Sequence, residues 1–112
     1  MVRNAAKNEL LPGTLDMLIL HTLTRGAMHG YGIAQRIQEI SDEVLQVEEG
    51  SLYPALQRLL VKGWVKAEWG TSDNNRRARY YTITSAGKKQ LGTEAENFRR
   101  MVQAIARVMQ TA

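Results

Sequence analysis

The side chains able to do chemistry in this chain are cations and hydrogen-bonding groups rather than nucleophiles. Arg76, Arg77 and Arg79 crowd together in and beside GTSDNNRRA, residues 70 to 78, a stretch of turn-forming residues. Arginines on a turn have little structural reason to cluster, and phosphates or a narrow groove are what they suit. Arg58 and Lys62 stand one helical turn apart. Arg58 has the fork that reads a guanine edge or clamps a phosphate, although a solvated arginine is the other reading of that position. The charge is unevenly spread: from Arg58 to Lys89 there are eight bases against two acids, while Glu39 to Glu49 holds five acids and no base. A net charge of +4 therefore understates one face suited to a polyanion. A merely solubilising surface is the alternative that charge alone leaves open.

What is missing excludes other chemistry. The chain has no cysteine, hence no disulfide, thiolate zinc site or thiol nucleophile, as suits a reducing compartment. His21 and His29 are lone histidines, read as lying on helices, with no third ligand at metal spacing. The acids follow a surface pattern instead of pairing in a pocket, so no enzyme and no cofactor are expected. The N-terminal MVRNAAKNELLPG lacks an apolar signal core, and the run Met17 to Leu20 is too short to span a bilayer. At 112 residues one cytoplasmic domain is expected, burying roughly two thirds of its unfolded surface.

Arg58 and Lys62 lie in EGSLYPALQRLLVKGW, residues 49 to 64, which reads as a helix with two unlike faces. Leu52, Leu56, Leu59 and Leu60 form an apolar stripe, and Ser51, Pro54, Gln57, Arg58, Val61 and Lys62 fall opposite. The stripe needs a core. The other face, small, hydroxyl-bearing and amide-bearing with cations near its end, suits a DNA major groove. Pro54 lacks an N–H, which places the helix start near Gly50 or Ser51. Gly63 ends it. Tyr53 sits on the flank, its ring able to pack while its hydroxyl reaches a phosphate. Glu48 and Glu49 favour a helix N-terminus and are assigned to capping.

The other elements must present that helix. Residues 1 to 11 read as a polar tail, in which Arg3 and Lys7 could touch a phosphate. From about Thr14 to Arg25 a first helix carries Leu15, Leu18, Ile19 and Leu23 on one side and Met17 and Leu20 on another. That is more apolar surface than one core needs, so Leu15, Met17 and Leu20 are assigned to a subunit contact. Gly26 stops it. MHGYGIAQRIQEIS is a short second helix with Ile33, Ile37 and Ile40 on one face, and residues 45 to 47 read as a brief strand. Three helices in this order place the third in the groove in helix-turn-helix proteins.

After Gly63 the period becomes two. Residues 65 to 69 and 79 to 84 read as strands of a hairpin with a long basic tip, and of Tyr80 and Tyr81 one should pack inward. Trp64 and Trp69 are expected in the core rather than in a ligand pocket. Thr84 or Ser85 caps a last helix to about Gln110. In it Leu91, Ala95, Phe98, Val102, Ile105 and Met109 recur at steps of four and three, the seam of a coiled coil, with Met101 and Val108 widening it. At about 38 Å, from 1.5 Å per residue, it is longer than the preceding body needs. A dimerisation arm is expected.

With these pieces in place, the chain resembles the PadR family of bacterial transcriptional regulators over roughly residues 11 to 110. The resemblance is carried by LPGTLDMLIL, HGYGIAQRI, GSLYPALQRLLVKGWV and RRARYYTITSAGKKQL. It implies a winged-helix homodimer of the family's short branch, with a single terminal helix, repressing a promoter and often released by an aromatic effector. It also implies that Tyr31, Gln35, Ser51, Tyr53, Pro54, Arg58, Arg76, Arg77 and Arg79 lie near DNA. Leu60, where an acid is often found, and Gly32 depart from the family pattern.

The expected architecture is mainly α with a small β-hairpin: a winged helix-turn-helix over residues 12 to 84 and a dimerisation helix over residues 85 to 112. The expected partners are operator DNA, a second copy and an aromatic effector, with no membrane. The rival is a winged helix kept for protein association without specific DNA binding; a steep salt slope on duplex DNA separates the two.

Overall fold

The computed structural model describes residues 13–111; the expected tail at residues 1 to 11 lies outside them. The elements are α1 (Thr14–Thr22) with a 3-10 turn (Leu23–Arg25), β1 (Met28–His29), α2 (Gly30–Ile40), α3 (Glu49–Val61), β2 (Val65–Thr71), β3 (Arg77–Ile83) and α4 (Ser85–Gln110). One antiparallel sheet runs in the order β1-β3-β2. This is a winged helix followed by one long helix.

The apolar stripes meet as their spacing requires. Leu52, Leu56 and Leu59 of α3, Ile33 and Ile37 of α2 and Ile19, Leu20 and Leu23 of the first helical segment share one core with Val65, Tyr81 and Ile83 of the hairpin. Tyr81 is the inward tyrosine. α3 ends in a Schellman motif: Gly63 has φ 75, its N–H donates to the Leu60 carbonyl and that of Trp64 to Leu59, both at 3.0 Å. A left-handed residue there turns the chain straight into β2.

Several expectations are corrected. Leu15, Met17 and Leu20, assigned to a subunit contact, are buried within the single chain, where α1 packs against α2, α3 and α4 together. Residues 45 to 47 form no strand; Leu45 makes an isolated bridge, and the extra strand is Met28–His29, paired with Tyr81 and Tyr80. His29 is thus on no helix: it is the N-cap of α2, its Nδ1 accepting from the Gly32 N–H at 3.0 Å. A side chain at Gly32 would lie 3.3 Å from that imidazole, which accounts for the small residue. α3 begins at Glu49, with Glu48 in the N-cap position, so Pro54 lies inside the helix. It can do so because Pro54 withholds only one bond, to the Gly50 carbonyl near the N-terminus.

Of the two expected caps of α4, Thr84 and Ser85, the structure uses Thr84. The Thr84 hydroxyl accepts from the Gly87 N–H at 3.0 Å, and a Cβ at Gly87 would sit 2.1 Å from the Trp64 carbonyl oxygen. That absent side chain lets the first turn of α4 lie against the base of the hairpin. Leu91, the first residue of the expected seam, is half-buried against the core of its own chain. Beyond it Ala95 is exposed, as are Phe98, Met101, Val102, Ile105, Val108 and Met109. No helix among the described residues is long and apolar enough to cross a membrane.

Candidate nucleic-acid interface

α3 carries its polar residues on the side away from the core. Ser51, Tyr53, Pro54, Gln57, Arg58 and Lys62 are all exposed, whereas Leu52, Ala55, Leu56 and Leu59 are buried. Tyr53 lies toward one side of that outer surface and Arg58 toward the other, about 140° apart at 100° per residue.

On the Tyr53 side, α2 and the hairpin close a cleft of about 880 Å³. Tyr31, Gln35 and Tyr53 line it from the helices; Trp69, Arg76, Arg77 and Arg79 line it from the hairpin. The Tyr53 ring lies over Gly30, where a Cβ would be 3.0 Å from its Cε1 and hydroxyl. A residue larger than glycine at the start of α2 would push this ring outward. Burial, and after it the nearby Glu49 and Tyr81, raises the Tyr53 phenol above its ordinary pKa, so Tyr53 meets a ligand as a neutral donor and acceptor. His29 touches two rings of this region, Tyr31 at 6.4 Å and Tyr80 at 5.5 Å between centroids.

The hairpin differs from expectation in length. Pairing continues through Gly70↔Ala78 to Thr71↔Arg77, leaving residues 72 to 76 as the turn. Ser72 and Arg76 close it: the Ser72 N–H donates to the Arg76 carbonyl at 2.7 Å, and the Ser72 hydroxyl donates to Asn74 Oδ1 at 2.7 Å. Arg76 is therefore on the turn, but Arg77 and Arg79 are on β3, held by the ladder to one face. Trp69 occupies that face too and is 61% exposed, against the expectation of a core position. It lies beyond the end of the core, and the Arg77 guanidinium stacks over it 4.6 Å from the ring centroid. Arg79 lies 6.0 Å over Tyr81. Such stacking holds a guanidinium plane while leaving its N–H groups free.

The Arg58 side is built differently. Arg58 Nη2 donates to Asp16 Oδ1 at 2.8 Å and Nε to Oδ2 at 3.4 Å, joining α3 to the first turn of α1. The hydrogen bond to Asp16 raises the guanidinium above its ordinary pKa, with slight burial opposing it. Lys62, one turn on, reaches back over Trp64 with Nζ 4.8 Å from the ring. The structure thus gathers Tyr31, Gln35, Tyr53 and the three hairpin arginines in the cleft, and leaves Ser51, Pro54, Arg58 and Lys62 along the open outer side.

Asp16, His29, Gly30 and Trp69 were not among the expected interface residues. Alternation along β2 was a signal for Trp69, since it continues outward past the core; nothing local pointed to Asp16. No group of three or more potential metal-ligating side chains occurs among the described residues.

Known proteins place this arrangement. The transcriptional regulator PadR-like family matches residues 19–93. An uncharacterised protein of Lysinibacillus sphaericus is 33% identical over 85 residues, 76% of this chain and 78% of its own. Among solved structures, a transcriptional regulator from Clostridium thermocellum superposes with a TM-score of 0.78 at 32% identity, over 85% of this chain and 92% of that one. A PadR family transcription regulator from Clostridium difficile does so with a TM-score of 0.73 at 28% identity, over 85% and 97%. With the family match spanning well over half its length, and with the winged helix, outer α3 surface and arginine-bearing hairpin in place, this chain belongs to the PadR-like family of transcriptional regulators.

Proposed function

We propose that this chain is a sequence-specific DNA-binding repressor in the cytoplasm, acting as a homodimer on an inverted-repeat operator. The observation that carries this reading is the pairing of an exposed polar α3 surface with three arginines on one side of the adjoining hairpin. In this reading α3 enters the major groove, with Ser51, Pro54 and Arg58 facing base edges or phosphates and Lys62 following the backbone. The hairpin is the wing: Arg76, Arg77 and Arg79 meet phosphates, and Tyr31, Gln35 and Tyr53 border the strand that passes between wing and helix.

The dimer is supported by the uncovered stripe of α4, where Phe98, Met101, Val102 and Ile105 are each more than two fifths exposed. A monomer leaves that surface in water. Residues 12 to 84 form the DNA-binding unit and residues 85 to 112 the arm, and two-fold symmetry in the protein asks for two-fold symmetry in the site. Release by an aromatic effector belongs to the proposal through the family resemblance alone.

Selection of bound duplexes from a random pool tests the reading. An inverted repeat with half-sites about one helical turn, or a multiple of it, apart is the expected result. Recovery of a direct repeat or a single half-site would overturn the dimer geometry. No enrichment, with affinity insensitive to salt, would return the chain to the protein-association reading.

A further inference from the structure

We propose that Asp16 is a positioning residue of the DNA interface: its carboxylate holds Arg58 side-on and presents the free end of the guanidinium to a base edge. This rests on the DNA-binding reading above. Asp16 lies in the first turn of α1 and Arg58 in the last turn of α3. Their contact uses Nε and one N–H of Nη2, both on one edge of the guanidinium. Arginine has five N–H donors. Three remain, and two of them, one on Nη1 and one on the far side of Nη2, point the same way and form a second fork of the shape that meets O6 and N7 of guanine.

Exposure has the polarity such a device needs. The Arg58 side chain is 49% exposed and that of Asp16 15%, so the cation is offered outward while the carboxylate stays behind it. A long side chain ordered before binding loses less freedom when it binds. The other cations of the interface are held differently: Lys62, Arg77 and Arg79 lie over aromatic faces, contacts that do not fix the direction of an N–H donor. Arg58 is tied by direction as well as by plane, as base reading demands and phosphate contact does not.

The arrangement also gives the two effects of Asp16 opposite signs. A carboxylate beside a polyanion opposes binding to any duplex, and removing it strengthens sequence-independent association. Removing it also frees the guanidinium to turn, which weakens discrimination at the base pair it reads. A role confined to joining α1 and α3 would lower thermal stability and leave the ranking of sequences unchanged.

The test takes the duplex that the wild-type chain selects, every single base-pair replacement of it, and a scrambled duplex. Binding is measured for wild type, Asp16→Asn, Asp16→Glu, Arg58→Lys and the Asp16→Asn/Arg58→Lys double variant, with a melting curve for each. Asp16→Asn is expected to bind scrambled DNA as well as or better than wild type. It should lose roughly 5- to 100-fold of discrimination at one base pair in each half-site, the magnitude of one bidentate pair. Arg58→Lys should lose discrimination at the same base pair, the double variant little further, and Asp16→Glu should recover part of it. A wild type that discriminates beside an Asp16→Asn that discriminates equally overturns this proposal alone. So does a uniform weakening on all duplexes that tracks lowered melting. A wild type with no sequence preference overturns the DNA-binding reading as well.

Discussion

The Thr84 hydroxyl donates to the Gly63 carbonyl at 2.7 Å. The same oxygen accepts from the Gly87 N–H at 3.0 Å, and the Thr84 N–H donates to the Trp64 carbonyl at 3.0 Å. One residue thereby joins the end of α3, the base of the hairpin and the start of α4. The interface helix and the arm are held in register by backbone groups that would otherwise need other partners.

Thr84→Ala should therefore cost about 1–2 kcal/mol, the sum of a lost helix cap and a lost tie. Thr84→Ser should keep most of it, since the hydroxyl remains. Urea unfolding of the three proteins measures this, and equal midpoints would show that the tie contributes nothing.

The stripe on α4 predicts an obligate dimer at micromolar concentration. Phe98→Glu together with Val102→Glu would place charges in a seam that excludes water, where unpaired charge is strongly disfavoured. Sedimentation should find a monomer or an unfolded chain. A dimer of wild-type strength, or a folded monomer that binds DNA as wild type does, would remove the seam from the assembly.

Replacing Arg76, Arg77 and Arg79 together by Ala should weaken specific and scrambled duplexes alike. Two wings carry up to six such cations, so the slope of log K against log salt should fall by roughly 2 to 5 units. An unchanged slope in a salt titration would mean that the wing does not touch DNA.

The turn after α2 places a residue other than glycine in the left-handed region. Asp42 has φ 59 and closes a Schellman motif, its N–H donating to the Glu39 carbonyl at 3.1 Å and that of Glu43 to Gln38 at 2.8 Å. Glycine is the favoured residue at such a position. Asp42→Gly should raise stability by about 0.5–1 kcal/mol, net of the greater freedom that glycine gives the unfolded chain. Thermal melting checks the sign; a lower midpoint would show that unfolded-state entropy dominates.

What the sequence determined by itself is what depends on near neighbours along the chain. The stripe of Leu52, Leu56 and Leu59, the stop at Gly63, a cap at Thr84 or Ser85 and one inward tyrosine of Tyr80 and Tyr81 were all legible, because each follows from helical or strand periodicity and from local backbone chemistry. Tertiary structure alone decided what covers each face. Met17 and Leu20, assigned to a subunit contact, are covered by neighbours within their own chain; the pattern of a helix shows how many sides are apolar and not which neighbour fills them. Trp69 was expected in the core because alternation says which way a strand residue points, not where the core ends beneath it. Met28–His29 read as helix since only the distant Tyr80 and Tyr81 make it a strand. Asp16 and Arg58 are 42 residues apart, and no local rule links them: the packing of α1 beside α3 brings the carboxylate to the guanidinium.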